Sequence, residues 1–161
     1  MKTILDDKHI VPIAHALDLA GGENVDCDSI NMKNFKRATL IFKFDTLAGA
    51  SAVLTINSGA TNGTCTSALT FRYAFGSAAI GVANADVLAA VAKAASLTIT
   101  HTTYDDYMLV VDIAASEMDM ANGENWLTAR FTDPGGATGT LDAIAILEPR
   151  YKSAQHASAL A

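Results

Sequence analysis

The chain predicts an all-β fold: a two-sheet β-sandwich of jelly-roll-like or Greek key type, with extended N- and C-terminal arms. Three observations carry this. Apolar and polar residues alternate in short runs along most of the length, as in strands with one buried face. Clusters of Gly, Asn, Asp, Ser and Thr separate the runs, as turns require. The runs amount to roughly seven or eight strands with no regular βαβ alternation, which excludes a parallel α/β sheet. An immunoglobulin-like topology stays open, although Cys27 and Cys65 both precede Trp126 and so depart from the usual Cys, Trp, Cys order.

In chain order, residues 1–35 read as an N-terminal arm and lead-in. Ile10, Val11 and Ile13 surround Pro12, which cannot donate to a sheet ladder and so belongs at an edge or in an arm lying across a surface. The stretch GGENVDCDS that follows reads as a polar loop. Residues 36–150 form the sandwich domain. KRATLIFKF turns Ala38, Leu40, Phe42 and Phe44 one way and Arg37, Thr39 and Lys43 the other, giving a half-buried strand. The stretch 52–75 reads as two strands joined by an exposed Ser/Gly/Thr/Asn loop. Leu69, Phe71, Tyr73 and Phe75 lie on one face of the second as a core wall.

Residues 77–95 combine a helix-favouring run, VLAAVAKAA, with Gly76 and Gly81; a helical turn or a small-residue edge strand fits, and irregular structure with a short helix is expected. SLTITHTT and DYMLVVDIA both alternate, and Tyr104, Asp105 and Asp106 between them predict a hairpin over about 97–113. SEMDMANGEN predicts a helical turn ending at Asn122 and Gly123. NWLTARFT places Leu127, Ala129 and Phe131 inward unless Trp126 sets the opposite face. LDAIAILEP is apolar on both faces apart from Asp142, so it is central or covered on both sides. Residues 151–161 read as a weakly ordered tail.

Length and charge narrow the function classes. At 161 residues the chain holds one domain with a sizeable core. A formal charge of −6 with scattered Lys and Arg argues against nucleic acid as a partner, because that affinity begins with cations neutralising phosphates. No apolar run reaches the length of a membrane span, and the acidic residues of MKTILDDKHIVP stand where a signal peptide has its apolar centre. Charged residues are 17% of the chain against roughly 25% in an average soluble domain. Burial of surface against other subunits explains that deficit, as does an alanine-rich but otherwise ordinary surface. Two cysteines make no disulfide framework, and unpaired thiols in a reducing compartment are expected.

No catalytic, cofactor-binding or metal-binding constellation stands out, and the chain does not read as an enzyme. His9, His15, His101 and His156 form no close pair of the kind that sets two ligands on one element. Asp105, Asp106, Asp112, Glu117, Asp119 and Glu124 gather in sequence, but any two of six could be chosen as a glycosidase pair, so they select none. DMANGE lacks the spacing and distal Glu of an EF-hand, and SGATNG lacks a P-loop lysine and its helix. No G-x-S-x-G elbow accompanies the serines, and Cys65 has no evident basic partner.

The phrases SINMKNFKRATLIFKF, SGATNGTCTSALTFRYAF, SLTITHTTYDDYMLVVDIAASEMD, ENWLTARFT and LDAIAILEPRY, covering roughly residues 28 to 151, resemble small proteins of tailed-bacteriophage and prophage head gene clusters. Some members of that family are similar to capsid decoration, or cement, proteins. The resemblance implies a structural virion protein made in the host cytoplasm. It would be a jelly-roll-like module, often trimeric, that sits on the outside of the assembled capsid and reinforces the meeting points of the major capsid protein. The implied contact residues are Val11 and Pro12 in the arm, Arg72 opposite the aromatic face, and Tyr151 at the start of the tail. The rival expectation is a non-catalytic carbohydrate- or cell-surface-binding module using Trp126, Glu124 and Asn125 at one rim.

Overall fold

A computed structural model describes residues 4–20, 23–132, 135–151 and 157–160. The strands in chain order are β1 (His9–Asp18), β2 (Asn24–Asp26), β3 (Ile30–Asn31), β4 (Phe35–Phe44), β5 (Ala48–Gly49), β6 (Ala52–Gly59) and β7 (Ser67–Ala68). There follow β8 (Phe71–Phe75), β9 (Ala92–Ala94), β10 (Leu97–Ile99), β11 (Met108–Ala114), β12 (Trp126–Thr132), β13 (Ala137–Thr138) and β14 (Thr140–Pro149). Two single-turn helices, α1 (Ile4–Asp7) and α2 (His101–Tyr104), complete the list with three 3-10 turns.

All pairings are antiparallel. The larger sheet runs β1-β14-β4-β11-β8-β9, and the smaller runs β10-β6-β12-β2, with β7 and β3 continuing its two edges. From β1 to β14 the chain passes repeatedly from one sheet to the other, consecutive strands sharing a sheet only at β2–β3, β6–β7 and β8–β9, while β5 and β13 pair apart as a small two-stranded sheet. The orders β1-β14-β4-β11 and β2-β12-β6-β10 are those of the two sheets of a jelly roll, with β8 and β9 added beside β11. The expected all-β sandwich is therefore what the chain forms.

The strict alternation of KRATLIFKF explains the centre of the larger sheet, since Ala38, Leu40, Phe42 and Phe44 all lie in the core. Leu109, Val111 and Ile113 of β11 and Leu141, Ala143, Ala145 and Leu147 of β14 extend that inner face. The smaller sheet answers with Leu54 and Ile56 of β6 and Leu127, Ala129 and Phe131 of β12. The two layers meet where the Phe131 ring packs edge-on against Phe42 and Phe44, with centroids 5.6 and 6.2 Å away.

Five local expectations change. Residues 9–31 are not an arm: β1 pairs along β14, Val11 and Ile13 enter the core, and β2 and β3 pair with β12. The strand hides in sequence because its register slips between Pro12 and Ala14 and again between Ala14 and Leu17, with Ala16 at φ 46°, so the two-residue period is lost. As expected of a proline strand, β1 lies at the sheet's edge.

The 97–113 hairpin does not form. β10 joins β6 in the smaller sheet, β11 joins β4 and β8 in the larger, and α2 bridges them. Tyr104 of α2 stacks on Phe75 with centroids 3.6 Å apart, which holds the turn against the core. In the 52–75 stretch, β6 pairs only with the short β7 before the chain crosses to β8 in the other sheet.

Residues 77–95 contain no helix, and their last part is the small-residue edge strand β9; Gly81 at φ 87° and Asn84 at φ 70° break any helical run. β14 is central within its sheet as expected, but its outer face is not covered, since Ile144 is exposed. Of the tail, residues 152–156 and 161 lie outside the described residues. Ala159 is buried, and its carbonyl accepts the Asn31 N–H at 2.8 Å. The turn ending at Gly123 forms as expected, as 3-10 turns at Ala115–Glu117 and Met120–Asn122 with Gly123 left-handed.

Candidate interaction surface

Strand alternation in β8 turns Phe71 and Phe75 into the core and leaves Arg72 exposed on the outer face. Arg72 stands opposite Asp112 of β11 on one side and opposite Lys93 of β9 on the other. Asp112 is already engaged, because Arg37 of β4 binds it through Nε at 2.6 Å and through a second bond from Nη2. That fork also holds the Arg37 guanidinium above its ordinary range. Among the described residues no carboxylate lies within ion-pair distance of Arg72 or Lys93. Together with Leu69, Phe71 and Glu117 these two cations line an open cleft of about 340 Å³. Glu117 accepts the Ala114 N–H at 2.8 Å, which fixes the carboxylate over the end of β11.

The connection from β8 to β9 is the second notable surface. Ser77 N–H donates to the Val87 carbonyl at 2.7 Å, Ala89 N–H to Phe75 at 2.8 Å and Ile80 N–H to Asp106 at 2.8 Å, so the segment is tied to the body of the sandwich. Successive turns, Val82 to Ala79 and Val87 to Asn84, shape its interior. On this built loop Ile80, Val82, Val87, Leu88 and Val91 are exposed, Val82 to 58% and Val91 to 69%. They are five of the nine exposed large apolar side chains among the described residues, so the exposure is concentrated and not scattered.

A third apolar feature crosses the outer face of the larger sheet. Pro12 pairs with Ile144, Ile144 with Ile41, and Ile41 with Val110, giving a row over β1, β14, β4 and β11. Polar groups border it: the Ala16 N–H and His15 hold the Asp142 carboxyl below its usual range, and Lys8 and Lys36 both reach Glu148.

Of the four residues implied as contacts, Val11 is excluded from the surface because it faces the core. Pro12 and Arg72 are exposed on the outer face, and Tyr151 is 78% exposed just beyond β14. They do not form one site. Three strands separate β1 from β8, so Pro12 and Arg72 lie about 19 Å apart across the sheet at ordinary strand spacing.

The rim trio does not converge on solvent either. Glu124 is only 7% exposed and accepts Ser58 Oγ at 2.5 Å and Ser67 Oγ at 3.1 Å. Asn125 donates to its neighbour's carbonyl at Gly123, and Trp126 is half-buried. Nearby, Ser29 and Thr128 share a buried hydroxyl contact at 2.7 Å, and Gly63 N–H donates to Ser29 Oγ, which folds the 60–66 loop onto β12. Gly59 permits that fold, since a Cβ there would lie 2.2 Å from the Thr64 carbonyl oxygen. Sequence reasoning missed this cluster because its hydroxyls come from four distant stretches.

The histidines are dispersed: His9 stacks on Phe35, His15 contacts Asp142, and His101 contacts Ser51, while His156 lies outside the described residues. Among the described residues no three His, Cys, Asp or Glu side chains group as a metal site would need. Both cysteines are free. Burial, with Asp26 and Asp28 nearby, pushes the Cys27 thiol up to about 12, and burial also raises Cys65, which is only partly covered. Iodoacetamide at about pH 8 should therefore label Cys65 first and reach Cys27 only on unfolding, as read by mass spectrometry. Equal labelling of both thiols in the native protein would contradict that burial. The raised Cys27 value also gives a stability contribution present below its ordinary value of 9.0 and lost as the pH rises toward about 12.

No protein-family model and no curated protein matches the chain.

Proposed function

We propose that this protein is a structural virion component that binds the outer surface of an assembled phage capsid and stabilises contacts between major capsid subunits. One observation carries the reading: a backbone-tied loop displays Ile80, Val82, Val87, Leu88 and Val91 to solvent. Concentrated apolar exposure on a hydrogen-bonded scaffold suits a surface that is covered in use. The apolar row through Ile144 offers a second such face, and two faces suit a protein wedged among several neighbours, including copies of itself in a trimer. The sequence phrases that resemble head-gene proteins point the same way. A glycan-binding role draws less support, because Glu124 is spent on two serine hydroxyls inside the fold.

The test is co-sedimentation with capsids assembled without the protein. Wild type should pellet with the particles, and electron microscopy should show its density on the shell. Val87→Asp and Val91→Asp alter side chains that are already exposed, so they should fold normally yet each weaken binding about tenfold, from roughly 1.5 kcal/mol of lost apolar burial. Wild type remaining in the supernatant, or a stable monomer that binds a glycan array and no particle, would refute the proposal.

A further inference from the structure

We propose that the open edge of β9 accepts an extended segment of a different protein, one that places a carboxylate beside Lys93 and Arg72 between two apolar side chains. This reading stands on the sheet's own geometry and does not depend on the partner being a capsid.

β9 is the last strand of the larger sheet and pairs only with β8, so among the described residues its other side is an unpaired ladder. Such an edge can be extended by a strand from another chain, the backbone bonds giving affinity and alternate side chains giving choice. The register fixes what those side chains meet. On the outer face the row reads Asp112, Arg72, Lys93 from β11 to β9, and Arg37 has already claimed Asp112. Two cations thus stand directly opposite each other, an arrangement that weakens a sheet. The next position in the row, on an added strand, lies about 5 Å from Lys93 and is where a carboxylate would relieve that repulsion.

The flanking positions are equally constrained. Ala92 and Ala94 are small, so an incoming strand has room for larger apolar residues opposite them, over the side of the cleft floored by Leu69 and Phe71. The fitting segment is therefore apolar, acidic, apolar in alternation. A second copy is a poor occupant, because antiparallel pairing of β9 with itself would set Lys93 beside Lys93. A lone edge lysine commonly guards against strand addition. Here the neighbouring Arg72 makes the edge selective for acid as well as repellent to base.

The test uses the intact protein and a synthetic nine-residue peptide of alternating valine and threonine with one glutamate at the central threonine position, alongside glutamine and lysine versions. The glutamate peptide should bind about fivefold tighter than the glutamine peptide at low salt, with the advantage shrinking as salt is raised. Amide shifts in the protein's NMR spectrum should centre on residues 92 to 94. Lys93→Glu changes an exposed side chain and replaces the like-charged pair with an opposite one, so it should not lower the melting temperature while it abolishes the preference for the glutamate peptide. Equal affinity for the glutamate and glutamine peptides, shifts centred elsewhere, an unaltered preference in the variant, or no binding at millimolar peptide would each overturn the inference. Capsid co-sedimentation is a separate readout, so either proposal can fail without the other.

Discussion

Truncating Phe131 to alanine should lower the unfolding free energy by about 3 to 5 kcal/mol, the range for removing a large aromatic from a packed core. Phe131 is almost fully buried and is the side chain of the smaller sheet whose ring meets both Phe42 and Phe44 of the larger. Its loss removes apolar burial and opens a void on the plane where the layers touch, and strands fixed by ladder bonds on both sides cannot close it. Since domains of this size hold roughly 5 to 15 kcal/mol in total, the variant should stand near the limit of folding. Urea unfolding followed by Trp126 fluorescence measures it. A loss below about 1 kcal/mol would mean that the sheets do not meet at this ring.

Glu124→Ala should cost about 2 to 3 kcal/mol, by a different route. The Glu124 carboxylate gathers the hydroxyls of Ser58 and Ser67, tying the turn before β12 to β6 and β7. Alanine leaves the fully buried Ser58 hydroxyl without that acceptor in a space closed to water, while the half-buried Ser67 hydroxyl loses its partner nearer the surface. Glu124→Gln keeps an acceptor oxygen and should recover about half of the loss. The double change Glu124→Ala with Ser58→Ala should cost less than the two single losses added, because the orphaned hydroxyl is gone. Additive losses in thermal unfolding would show that Glu124 and Ser58 do not act together.

These two sites differ in how far they could be read beforehand. Phe131 was legible: alternation in NWLTARFT sets Leu127, Ala129 and Phe131 on one side, inward unless Trp126 takes that place, and the same rule exposed the inner faces of β4 and β11, whereas β14 reads as apolar on both faces. Glu124 was not. A carboxylate beside Asn and Gly looks like a solvated rim, and only the distant serines brought to it by β6 and β7 make it an interior group. Strands β2 and β3 are two or three residues long and carry too little period to register, while bulges scramble the period of β1.

Sheet membership was also illegible, because alternation states that a residue faces inward without stating from which layer. That is why 97–113 reads as one hairpin when its halves belong to opposite sheets. The interaction surface divides in the same way. Arg72 facing outward follows from the pattern of FRYAF, but its standing beside Lys93 and behind an occupied Asp112 depends on register between strands far apart in sequence. The apolar residues of 80–91 gave no sign of their exposure, because a stretch without a clear period assigns no face to its side chains, and here they face solvent.

The order of the strands has a consequence for the newly made chain. β1 waits for β14 and β2 waits for β12, the Asp26 and Arg130 partners being 104 positions apart. As the chain leaves the ribosome, neither layer can be completed until β12 and β14 have emerged. Acquisition of structure is then governed by loop closure, on the millisecond-to-second scale of non-local topologies. Throughout that interval the strands that will be central are still bare edges, so the rate of synthesis and the company of chaperones bear on yield more than any single contact in the finished sandwich.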